Sequence, residues 1–153
     1  MVTIKSYTDI EQSKVLAKIL PLESADMSYT LDFDSVKYEI STTSYKSWVV
    51  PKYAESYKGL NQVLPCWSLA ALLNLLPSEF TQKGKYSTTT YKIDIRKYKF
   101  TDDVDLHQIA YGSIKFDVDG QYSFKDMINT GEKENLIDAC VQMIINFKEL
   151  NLL

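Results

Sequence analysis

His107 is the only histidine of the chain, so any Ser–His or Cys–His catalytic pair would have to use it. It lies in Leu106-His107-Gln108-Ile109, where alternation places the ring on the polar side of a strand. The chain contains no G-x-S-x-G elbow to present a nucleophile to it. An ordinary surface histidine accounts for these features. Cys66 and Cys140 are far apart and in no C-x-x-C motif, which suits two reduced, buried thiols. One histidine and two scattered cysteines do not supply a zinc site.

Carboxylates offer the next chemistry. Asp102, Asp103 and Asp105 form one acidic group. Asp117, Asp119 and Gly120, with Asp126 six residues beyond the glycine, resemble the later part of a calcium loop. Lys115 stands where such a loop needs its first acid, and the flanks alternate like strands. A hairpin explains the glycine better. No glycine-rich phosphate loop occurs, and the five glycines do not cluster. The sequence therefore points to no catalytic residue, no metal ligand and no cofactor, and an enzyme would need an unrecognised hydrolase or transferase site.

Two stretches suit binding instead. Tyr45, Trp48, Tyr53 and Tyr57 gather in a segment of weak patterning, within a chain that has eleven tyrosines. Tyrosine combines contact area with a polar tip and is enriched at interfaces, so this cluster is a candidate partner surface. The alternative is that these rings cap a sheet. Lys85, Tyr86, Tyr91, Lys92, Arg96, Lys97, Tyr98 and Lys99 form a basic, aromatic-interleaved run within residues 83–99. Stacking rings beside cations is how sequence-tolerant single-strand binders work. The competing reading is an edge strand whose lysines oppose aggregation.

The 17 basic and 20 acidic side chains give a net charge of −3, and Arg96 is the only arginine. This balance argues against a duplex-DNA reader, which needs a basic excess and the guanidinium fork. Apolar residues make up 45% of 153, enough for a core without staples. Residues 1–20 lack a continuous apolar core, and no apolar run is long enough to span a bilayer. A cytoplasmic, reducing compartment and no membrane association are expected.

The elements that must position these residues follow from periodicity. Thr8 and Glu11 have capping-box spacing before an apolar stripe at Ile10, Leu16, Ile19 and Leu20, and Pro21 stops that helix. Tyr29, Leu31 and Phe33, then Val36, Tyr38 and Ile40, alternate about a turn at Asp32–Ser35 and predict a hairpin. Trp48–Val50 could add a short strand, and residues 51–61 read as a loop or a single helical turn. A second helix follows Pro65, begins near Trp67, carries Leu69, Leu72, Leu73 and Leu76, and ends at Pro77. Residues 86–125 are β-rich. A three-residue loop, Val118-Asp119-Gly120, would pair Phe116 with Tyr122 and Ile114 with Phe124, placing four large side chains on one face. The last helix runs from about Asn135 to Leu150, with Asn135 as N-cap. The expected fold is α+β in the order α-β-β-(β)-α-β-β-β-β-α. It is read as a single domain, 1–153, with one mostly antiparallel sheet and three helices packed on one face.

Three segments taken together resemble a known family. They are Ser6-Tyr7-Thr8-Asp9-Ile10-Glu11-Gln12 continuing to Leu22-Glu23-Ser24-Ala25-Asp26-Met27, then Pro65-Cys66-Trp67-Ser68-Leu69-Ala70-Ala71-Leu72, then Asp138-Ala139-Cys140 to Leu153. The resemblance is to small uncharacterised proteins of gut Bacteroidales, often carried by phages and conjugative elements. It implies a bacterial or phage origin, a cytoplasmic or virion setting and an accessory role, and it supplies no activity. Residues 28–63 and 78–133 lie outside it. The function expected is a non-enzymatic protein-interaction module with an unidentified protein partner. Single-stranded nucleic-acid binding through residues 83–99 is the alternative.

Overall fold

A computed structural model describes residues 5–32, 36–45, 63–116 and 118–153. The fold is α+β, and the chain divides into two compact units, Lys5–Asn74 and the segment from Leu75 to Leu153. The strands fall into two antiparallel sheets rather than the single sheet expected from the sequence. Alternation marks a segment as strand without naming its partner. Among the described residues, each strand pairs only within its own set.

The first unit holds α1 (Ile10–Leu16), β1 (Met27–Asp32), β2 (Lys37–Ser41), β3 (Val63–Cys66) and most of α2 (Leu69–Leu75). Its sheet has the order β2-β1-β3. The predicted hairpin is present, with Tyr29 opposite Ile40 and Leu31 opposite Tyr38. The expected strand at Trp48–Val50 and the loop at 51–61 lie outside the described residues. The sequence reading missed β3, because Pro65 looked like a helix entry. Proline lacks an N–H, and an edge strand such as β3 tolerates that on its outer side.

The cap of α1 sits one residue later than expected. Asp9 is the N-cap: its carboxylate accepts from the Gln12 N–H at 2.8 Å, while the Asp9 N–H donates to Gln12 Oε1 at 3.2 Å. Thr8 is instead completely buried. Its hydroxyl lies 2.8 Å from Ser13 Oγ and accepts from the Trp67 N–H at 3.1 Å. The second helix likewise starts later than Trp67, which is fully buried ahead of it. The Ala71 N–H donates to Ser68 Oγ, and Ser68 is fixed by the Asp26 carboxylate.

The second unit holds β4 (Glu79–Lys83), β5 (Thr88–Lys99), β6 (Asp105–Phe116), β7 (Tyr122–Asn129) and α3 (Leu136–Glu149), with strand order β4-β5-β6-β7. Asn135 caps α3, its Oδ1 accepting from the Asp138 N–H at 2.9 Å. Phe147 of α3 packs on Tyr111 of β6 and Phe80 of β4, with centroids 4.9 and 5.7 Å apart. Cys140 is buried in this helix, and burial pushes its thiol pKa up to about 12.

The β6–β7 hairpin has the predicted register: Phe116 faces Tyr122 and Ile114 faces Phe124. Gly120 takes the left-handed φ of +75° that the three-residue loop requires. Farther along, Tyr111 faces Ile128 while Gly112 faces Asp126, so Met127 is an extra residue that bulges β7.

Candidate interaction site

Alternation along β5, β6 and β7 sorts their side chains onto two faces. Tyr91, Ile109 and Tyr111 share the face that carries α3. Asp94, Arg96, Tyr98, Gln108, Ile114, Phe116, Tyr122, Phe124 and Asp126 share the opposite face.

Arg96 organises that opposite face. Its guanidinium donates to both oxygens of Asp126 at 2.7 and 3.0 Å, to Asp94 Oδ2 at 2.6 Å and to Gln108 Oε1 at 3.1 Å. It also lies over the Phe124 ring, 5.3 Å from the centroid. The charge-assisted bonds from Arg96 hold the Asp126 carboxyl below its usual range. Gly112 makes the approach of Phe124 possible. A Cβ at this position would sit 2.5 Å from Phe124 Cε1 and 2.4 Å from the Lys125 carbonyl oxygen.

Beyond this network the face becomes apolar and open. Ile114 is 58% exposed, Phe116 75% and Tyr122 74%, and Val118 at the loop is fully exposed. The Phe116 and Tyr122 rings meet edge to face at 6.3 Å. The face opposite α3 thus ends in a protruding hairpin arm with four large apolar side chains in water.

The same region contains a fork. The β5–β6 ladder stops at the Lys92–Gly112 pair. Past that point Thr88–Tyr91 pair with β4, whereas Ser113–Phe116 pair with β7. A hollow of about 350 Å³ lies between the two arms, lined by Thr88 to Thr90 and Lys92 on one side and by Gly112, Ser113, Ile114 and Phe124 on the other.

The expected site residues that the structure describes are dispersed. Tyr45 is half-buried, and Trp48, Tyr53 and Tyr57 lie outside the described residues. Of the basic stretch, Lys85 and Tyr86 stand in the β4–β5 turn, with the Lys85 ammonium 5.1 Å from the centroid of the exposed Tyr86 ring. Tyr91 stacks on Phe80 on the helix face. Lys97 and Lys99 share that side, with Lys97 paired to Asp105 at 2.7 Å and Lys99 4.0 Å from Asp102. Lys92, Arg96 and Tyr98 point the other way, and the Tyr98 hydroxyl donates to Gln108 Oε1 at 3.1 Å. The strand pleat therefore splits the run between two faces, and three of its cations have carboxylates beside them.

His107 exchanges backbone hydrogen bonds with Lys133 at 2.7 and 2.8 Å and is half-buried. Asp102 and Asp103 are exposed, and Lys97 holds the Asp105 carboxyl below its usual range. Asp119 and Gly120 belong to the hairpin loop, while Asp126 is engaged by Arg96. Among the described residues no three His, Cys, Asp or Glu side chains gather as a metal site. Among them no helix is long and apolar enough to cross a membrane.

The sequence reading found the facing of Ile114, Phe116, Tyr122 and Phe124 but did not treat it as a surface. The signal was available: four large side chains share one face of a hairpin whose other face holds Ser113, Lys115, Ser123 and Lys125. Such a pattern buries the apolar side only if something covers it. No protein-family model, curated protein or solved structure matches the chain.

Proposed function

We propose that this protein is a non-enzymatic interaction module of a phage or mobile element, working in the bacterial cytoplasm or the virion, and that the β6–β7 arm binds its protein partner. The observation that supports this reading is the exposed row of Ile114, Phe116 and Tyr122 on the face opposite α3. Apolar groups of this size, held on a hairpin beside an ion-paired platform, have the make-up of an interface centre with a polar rim. Aromatic side chains at such a centre carry most of the binding energy.

The experiment compares the wild-type chain with Phe116→Lys/Tyr122→Lys as baits in a Bacteroidales lysate. A stoichiometric protein retained by wild type and lost by the double variant, with unchanged melting, is the expected result. Equal retention by both baits, or none by wild type, would reject the arm as the surface.

A second reading, binding of single-stranded nucleic acid, is favoured by Lys85 and the outward Tyr86 ring in the β4–β5 turn. It requires binding that weakens steeply with salt and that Tyr86→Ala abolishes. No retention of single strands at low salt would end it.

A further inference from the structure

The fork is a gap between two strand edges, and backbone alternation fixes what those edges present. The Ile93 N–H donates to the Ser78 carbonyl, on the β4 side. Alternate residues of an antiparallel strand direct their N–H and C=O groups to opposite neighbours. Tyr91 and Thr89 therefore bond toward β4, and Thr88 and Thr90 direct theirs toward β6. On β6, His107 bonds to Lys133 and the Ile109 carbonyl accepts from the Thr130 N–H, both on the β7 side. Ser113 and Lys115 continue that set toward β7, so Ile114 and Phe116 direct their backbone groups toward β5. Continuing the β5–β6 register past Lys92–Gly112 would place Thr90 opposite Ile114 and Thr88 opposite Phe116. Those pairs are absent from the ladder. Two walls with outstanding backbone donors and acceptors face each other across the hollow.

We infer that the fork takes an extended peptide strand from the partner protein, inserted between the β4–β5 and β6–β7 arms so that it pairs with both. The inference rests on the interaction-module reading and names the chemical form of the partner. A strand is the ligand that supplies N–H and C=O groups on two opposite edges at once. Because β5 and β6 are antiparallel, it runs parallel to one wall and antiparallel to the other. Its side chains alternate between faces. On the face opposite α3 they meet Ile114 and Phe124 on one wall and Thr88, Thr90 and the Lys92 stem on the other, with Phe116 and Tyr122 beside the entrance, so β-branched residues such as valine and threonine fit there. On the other face they lie beside Thr89 and Ser113, which suits polar ones. Gly112 and the Phe124 ring close the inner end.

The test uses the full chain and a short lysine-flanked peptide of alternating valine and threonine. Binding is followed by titration, and backbone amides by hydrogen exchange. In the free protein the amides of Thr88, Thr90, Ile114 and Phe116 exchange fast, and the peptide protects all four. Two further peptides carry N-methyl groups on alternate nitrogens, one set for each edge. Insertion between the arms makes both edges necessary, so each methylated set weakens binding about tenfold or more, from two lost hydrogen bonds apiece. Sensitivity to only one set means addition at an outer edge and overturns the inference. Failure of the unmodified peptide to bind also overturns it. Protection of the four amides in the free monomer shows the arms zipped together and overturns it too. Their protection in a dimer without peptide makes a second copy the occupant, which likewise overturns it. Phe116→Lys/Tyr122→Lys separates the two readings. If that variant loses the partner while no peptide enters the fork, the arm is the surface and the strand inference alone fails.

Discussion

Phe147 and Phe116 are aromatic residues of the same unit, one 1% exposed and the other 75%. Phe147 stands on α3 within a ring cluster that Tyr111 and Phe80 complete, and it loses nearly all contact with water. Phe116 stands on the opposite face of the same sheet, where its ring meets that of Tyr122 edge to face. Both are large apolar side chains on regular elements. One face has a covering layer supplied by the chain itself, and the other carries an Arg96-centred polar network that gives way to uncovered rings. The helix face is covered by the chain itself, whereas the rings at the arm's end stand in water.

Substitutions can break that contrast. The largest effect is expected for Phe147→Ala, which removes the centre of the ring cluster. It should cost about 3–5 kcal/mol, read as a lower midpoint in urea. A cost below about 1 kcal/mol would mean that the helix face is loosely packed. Arg96→Met should follow, at about 1.5–3 kcal/mol, because it strands the Asp126 and Asp94 carboxylates beside a lost cation. Gly112→Ala forces a Cβ against the Lys125 carbonyl and the Phe124 ring, for about 1–3 kcal/mol, and a shifted Phe124 ring resonance should report it. Phe116→Lys/Tyr122→Lys should leave thermal stability within about 0.5 kcal/mol, the range for exposed sites. A drop as large as that of Phe147→Ala would abolish the distinction between the faces.

Acid titration sharpens the same comparison. The Asp126 pKa is depressed in the folded chain by Arg96, so its contribution is present above the unfolded aspartate pKa of about 3.9. That contribution fades as pH falls through the lower, folded value. Wild type should therefore lose stability below about pH 4 more steeply than Asp126→Asn. Parallel acid curves for the two proteins would show that the Arg96 pair stabilises nothing.

Local signals in the sequence were enough for elements whose causes are local. The Asn135 cap, the Gly120 loop and the pairing of Phe116 with Tyr122 each follow from a few adjacent residues. The cap of α1 slipped by one because Thr8 and Asp9 are both good capping residues. The choice between them is made by Trp67, fifty-nine positions away, whose N–H uses the Thr8 hydroxyl. The division into two sheets and the fork were hidden for a similar reason. The sheets depend on which strands choose each other as partners, and the fork depends on where the β5–β6 ladder stops, since Thr88–Tyr91 look the same whether they pair on one side or two. Arg96 was legible as a cation, but its role as a partner of Asp126, thirty residues on, was not.

The two cysteines give the molecule an internal clock. Cys66 lies buried in the first unit and Cys140 in the second, and burial raises both thiol pKa values. A thiol held protonated and out of solvent reacts with an alkylating reagent only when its surroundings open. Each unit therefore carries one chemical reporter of its own opening. The order in which Cys66 and Cys140 are labelled, read by mass spectrometry at rising urea, times the opening of each unit separately within one unmodified chain.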